Sequence, residues 1–83
     1  FNMKKEYTLN LDSITDLTNF VKRISNKIPY DVDAMYNRQI IDAKSLLGLI
    51  NLATHPVKVR INTDDEFYIN KFAEICKDYL VHE

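Results

Sequence analysis

The stretch Val32-Asp33-Ala34-Met35-Tyr36-Asn37-Arg38-Gln39-Ile40-Ile41-Asp42-Ala43 decides the fold. Val32, Ala34 and Tyr36 alternate with Asp31, Asp33 and Met35, which is the period of a half-buried strand. Asn tolerates the left-handed backbone better than most residues, so Asn37-Arg38 can reverse the chain as a two-residue hairpin turn. Gln39 to Ala43 then pairs back antiparallel, and the rest of the chain must cover or extend this hairpin.

Upstream, Pro29 closes a segment in which Ile14, Leu17, Phe20, Val21 and Ile24 recur at steps of three and four, the spacing of one helix face. Ser13 with Asp16 three residues on gives this helix a capping-box-like start, and its end is expected near Lys27. Before it, Lys5 to Leu11 alternates, with Tyr7, Leu9 and Leu11 on one face and Glu6, Thr8 and Asn10 on the other, as in a strand. Downstream, Ser45 is placed to cap a short helix over Leu46-Leu47-Gly48-Leu49-Ile50-Asn51-Leu52 that stops before Pro56. Val57, Val59 and Ile61 alternate with Lys58, Arg60 and Asn62 in a fourth strand. Thr63-Asp64-Asp65-Glu66 reads as a full capping box for a last helix whose inward stripe is Ile69, Phe72, Ala73, Cys76 and Leu80. The order β-α-β-β-α-β-α predicts an α+β open-faced sandwich, a four-stranded antiparallel sheet covered on one face by three helices. Its uncovered face is expected to show Thr8, Met35, Ile40, Lys58 and Arg60.

Composition narrows the function classes. The chain of 83 residues has 46% hydrophobic and 28% charged residues, which predicts one small domain over residues 3–83 with a modest core and no deep cleft between domains. Phe1-Asn2 ahead of Met3 reads as an expression remnant. Eleven Lys and Arg against twelve Asp and Glu, dispersed along the chain, give no basic field for nucleic acid. A single Gly excludes the glycine-rich phosphate cradles. One cysteine allows no internal disulfide, and no long apolar run suits membrane insertion, so a reducing, cytoplasmic compartment is expected.

The candidates for chemistry are few. His55 and His82 have no Cys, His or carboxylate partner at metal-ligand spacing, and no metal or cofactor is expected. Cys76 belongs to an inward stripe and reads as core. Asp64-Asp65-Glu66 is explained by capping rather than by a cation loop, which needs ligands at alternating positions and a Gly turn. No catalytic constellation emerges, and the chain reads as non-enzymatic. The apolar residues of the second helix span more than the stripe of about 100° that one buried face needs. Leu49 and Leu52, with Leu46 or Ala53, suffice for the core, which leaves Leu47 and Ile50 for an outward patch serving a partner or a second copy.

The run Ile41-Asp42-Ala43-Lys44-Ser45-Leu46-Leu47-Gly48-Leu49-Ile50-Asn51-Leu52 resembles the segment around the regulatory serine of HPr, the histidine-containing phosphocarrier of the bacterial sugar phosphotransferase system. The element order is similar to that family's, Phe20-Val21-Lys22 looks like the middle of its first helix, and Asp64-Asp65-Glu66 looks like the start of its last. The resemblance spans about residues 5 to 80, and its most specific part is Lys44 to Leu49. It departs at the family's Gly-Leu/Ile-His-x-Arg-Pro motif. Ser13, or Ile14 with a one-residue gap, stands where the phosphohistidine belongs, Thr15 where the arginine belongs and Asp16 where the proline belongs.

The resemblance therefore implies a regulatory relative that keeps the serine and has lost the histidine. In that reading Ser45 is phosphorylated by an HPr kinase, and Thr15, Leu46, Leu47 and Ile50 meet a regulatory protein partner. Phosphate would bring about −1.5 to −2 charge to Ser45. Two alternatives remain. His55, in the loop that the family places beside the start of the first helix, would be a displaced phosphoacceptor fed by an enzyme I-like protein. Otherwise the chain is a structural or homodimerising domain in which Ser45 only caps a helix.

Overall fold

The computed structural model describes residues 4–81; Phe1-Asn2 and His82 lie outside them. Seven elements follow in the expected order: β1 (Glu6–Leu9), α1 (Ile14–Lys27), β2 (Val32–Tyr36), β3 (Gln39–Asp42), α2 (Leu46–Leu52), β4 (Val57–Ile61) and α3 (Glu66–Cys76), with a 3₁₀ turn at Lys77–Tyr79. The strands form one antiparallel sheet in the order β1-β4-β2-β3. It is an α+β open-faced sandwich.

The hairpin forms as its residues require. Asn37 sits at φ 54°, in the left-handed region that Asn accepts at low cost, and Tyr36 pairs with Gln39 directly across the turn. Alternation then sorts the faces. Leu9, Val32, Ala34, Val57, Val59 and Ile61 are buried under the helices with Phe20, Ile24, Leu49 and Phe72. The uncovered face holds the cross-strand rows Glu6–Arg60–Asp33–Asp42 and Thr8–Lys58–Met35–Ile40.

Four local expectations change. Strand β1 is shorter than Lys5 to Leu11, because Asn10 N–H turns away to donate to the Tyr79 carbonyl at 2.8 Å. Ile14 is 62% exposed rather than part of the α1 stripe, since at the first helical position it precedes the turn that Leu17 seats on the sheet. The last helix is capped by Asp65, whose carboxylate accepts from Phe67 N–H at 3.0 Å, and not by Thr63. Glu66 is then the first helical residue, too close to return to its own cap. Finally, Ile75 and Tyr79 join the core, while Leu80 is only half-buried and bridges to Leu9 along the outer edge of β1.

Register fixes which loops meet. Leu9 pairs with Val57 and Met35 with Lys58, so β1 and β2 finish where β4 begins. The link into α1 and the Thr54-His55-Pro56 loop share that end of the sheet. Asp42 pairs with Asp33 near the start of β2, so β3 delivers the chain to α2 at the opposite end.

Candidate functional site

Ser45 is held by a short chain of hydrogen bonds around the β3–α2 corner. Asp42 accepts from Ser45 N–H through its carbonyl at 3.0 Å and from Lys44 N–H through its carboxylate at 2.9 Å. The Lys44 ammonium reaches across to the Ile28 carbonyl at 2.6 Å, which ties the corner to the chain leaving α1. The Ser45 hydroxyl accepts from Gly48 N–H at 3.5 Å, a long capping bond, and the residue is exposed. That hydroxyl is within reach of an external enzyme while the corner beneath it is fixed.

α2 divides its apolar residues as a helix laid on a sheet must. Leu49, Leu52 and Ala53 are buried, which identifies Ala53 rather than Leu46 as the third member of the inward stripe. Leu47 is 80% exposed, Ile50 39% and Leu46 38%. Gly48 faces Ile41 of β3 and lets the helix lie close to the strand: a Cβ there would stand 3.2 Å from Ile41 Cδ1.

The other predicted residues stand elsewhere. Ser13 caps α1, its hydroxyl accepting from Asp16 N–H at 3.4 Å. Ile14 and Thr15 are exposed in the first turn, where the Thr18 hydroxyl donates to their carbonyls at 2.8 and 3.1 Å. Helices α1 and α2 are in contact, yet no hydrogen bond among the described residues joins Thr15 to α2. His55 lies flat on Tyr36, with ring centroids 4.6 Å apart and planes 8° from parallel. This stack was not foreseen from the sequence. Its signal was there, because hairpin register sets Tyr36 at the sheet end to which α2 returns the chain. The stack anchors His55 to the hairpin, and among the described residues no side chain donates a hydrogen bond or ion pair to the imidazole.

Electrostatics outside this corner is structural. Burial pushes the Cys76 thiol well above its ordinary range, with the Arg23 charge opposing, so it stays protonated and inert. The Lys5 ammonium holds the exposed Asp64 carboxyl below the usual carboxylate range. Arg23 clamps α1 to the chain after α3, with 2.9 Å to Asp78 and 3.1 Å to the Tyr79 hydroxyl. Among the described residues no group of three or more His, Cys, Asp and Glu could hold a metal, and no helix is long and apolar enough to cross a membrane.

The fold and this corner define an α+β open-faced sandwich that presents an apolar helix face behind an exposed capping serine. No family model, curated protein or solved structure matches the chain.

Proposed function

We propose that this chain is a non-enzymatic regulatory module that docks a protein partner through Leu46, Leu47 and Ile50 of α2 and is controlled by phosphorylation of Ser45. The observation that supports it is the adjacency of an exposed serine hydroxyl and an exposed leucine-rich turn on one rigid corner. The likeness of Lys44 to Leu49 and of the element order to HPr adds to this, and the Ser13-Ile14-Thr15 start of α1 offers no imidazole for phosphate relay. In the step proposed, the Ser45 Oγ attacks the γ-phosphorus of ATP on a kinase, ADP leaves and the hydroxyl proton passes to the kinase's base. The resulting dianion lies beside the apolar patch and must be desolvated or paired by whatever docks there, so it changes partner choice rather than fold.

Two labelling reactions test this against its alternatives. With ATP and an HPr kinase, the intact mass gains one phosphate that is lost in Ser45→Ala. With phosphoenolpyruvate and enzyme I there is no gain. An acid-labile gain that disappears in His55→Ala supports the displaced-acceptor reading instead, and no gain in either reaction supports the purely structural one.

A further inference from the structure

Strand β3 leaves the sheet with one open edge. The outer edge of β1 is partly covered: Leu80 bridges to Leu9, Asn10 N–H donates to the Tyr79 carbonyl, and Val81 N–H donates to the Thr8 carbonyl. Nothing among the described residues does this for β3, which pairs only with β2. The bond from Ala43 N–H to the Val32 carbonyl sets the phase of that pairing. Residues 39, 41 and 43 turn their backbone groups to β2, so Ile40 and Asp42 direct theirs outward. The Asp42 carbonyl is used by Ser45 N–H, whereas Ile40 N–H and C=O face solvent. Ile40 is also 67% exposed, and Gln39–Asp42 contains no Lys, Pro or bulge of the kind that protects edges.

We propose that β3 pairs antiparallel with β3 of a second copy of this chain, about a twofold axis midway between the two Ile40 residues. Centred there, the two Ile40 residues exchange their outward N–H···O=C bonds and bring their exposed side chains together on the uncovered face. Arg38, in the turn that leads into β3, and Asp42, at the other end of β3, lie on opposite sides of Ile40. The antiparallel pairing therefore brings Arg38 of each copy to the end that carries Asp42 of the other and gives both flanks of the interface opposite charges. This self-complementarity selects the occupant. A register shifted by one residue sets Ile40 against Ile41 of the other copy, which faces the covered side. A register centred on Ile41 sets Ile40 against Asp42 and has no outward hydrogen bonds at its centre. The pairing extends the four strands to eight and does not rest on phosphorylation of Ser45.

The test is the association of the whole chain with itself, followed by sedimentation equilibrium, together with amide exchange at Ile40. Expected are a dimer whose dissociation constant rises at least about tenfold in Ile40→Lys and in Arg38→Asp and recovers when Arg38→Asp is combined with Asp42→Arg. The Ile40 amide, fast in dilute protein, slows as concentration rises. The amide measurement needs no substitution and so stands even where Asp42→Arg disturbs the corner. A chain that stays monomeric into the millimolar range overturns the proposal. So does a dimer that persists in Ile40→Lys with Ile40 exchange unchanged, or one lost only in Leu47→Asp.

Discussion

Asp65 and Thr63 compete for one task at the start of α3, and geometry settles it. The Asp65 carboxylate takes Phe67 N–H, while Thr63 Oγ1 takes the N–H of Asp65 itself at 3.1 Å, one step before the helix. Asp65→Ala should therefore cost about 1 kcal/mol of unfolding free energy and Thr63→Ala clearly less, read by urea denaturation. The reverse order would restore the Thr63–Glu66 box that spacing suggested. Spacing could not decide because Thr63 and Asp65 both precede the helix and both accept, and only the backbone path chooses between them. Cys76 was legible from its place in an apolar stripe. Its thiol stays neutral in the folded chain, but ionises in the unfolded chain near pH 9. The folded state then binds the extra proton, so stability is intact below that pH and falls as pH rises through it, by at most about 1.4 kcal/mol per unit. Denaturation from pH about 8 to about 10 should show this alkaline loss in the native chain and a flatter limb in Cys76→Ala, with no thiol labelling before unfolding.

At the scale of the element, α2 matters most because it does two things with seven residues. Leu49 and Leu52 hold it to the sheet, and Leu46, Leu47 and Ile50 face outward. Leu49→Ala should cost about 2–5 kcal/mol, since it opens a cavity over β3 and β2, whereas Leu47→Asp should stay within about 0.5 kcal/mol. Chemical denaturation of the two variants separates the anchoring face from the presenting face. This division was readable in the sequence, because a surplus of apolar residues over one helical stripe is a count. The hairpin was readable from a different signal, as the period-two alternation before Asn37-Arg38 marks a strand and a two-residue turn then pairs Gln39 to Ala43 back against it. The end of β1 was not. Leu11 keeps the alternation and is buried, but its neighbour Asn10 is drawn to Tyr79, a contact sixty-nine positions distant that no local pattern encodes.

For the whole molecule, the covered face of the sheet and the three helices enclose one core, and the uncovered face is left to one charged row and one mixed row that ends in Ile40. The fold was legible because β2 and β4 alternate buried with less buried residues and α1 and α3 each carry one apolar stripe, while β3, exposed at three of its four residues, is placed by the hairpin turn. The candidate site was legible only in part. Ser45 and the leucines after it are contiguous, but the Tyr36–His55 stack and the grip of Lys44 on Ile28 join residues across the chain and had to be seen. In the proposed function this hydrogen-bonded corner is the part on which a kinase acts, and that proposal is sharpest where the kinase itself must grip α2. The decisive measurement is the rate of phosphate incorporation from ATP by an HPr kinase, followed by intact mass for the native chain, Ser45→Ala and Leu47→Asp. Labelling of the native chain, none of Ser45→Ala, and incorporation slowed at least about tenfold in a folded Leu47→Asp is the predicted result. A native chain that takes up no phosphate, or a Ser45→Ala chain labelled as fast as the native one, would contradict it.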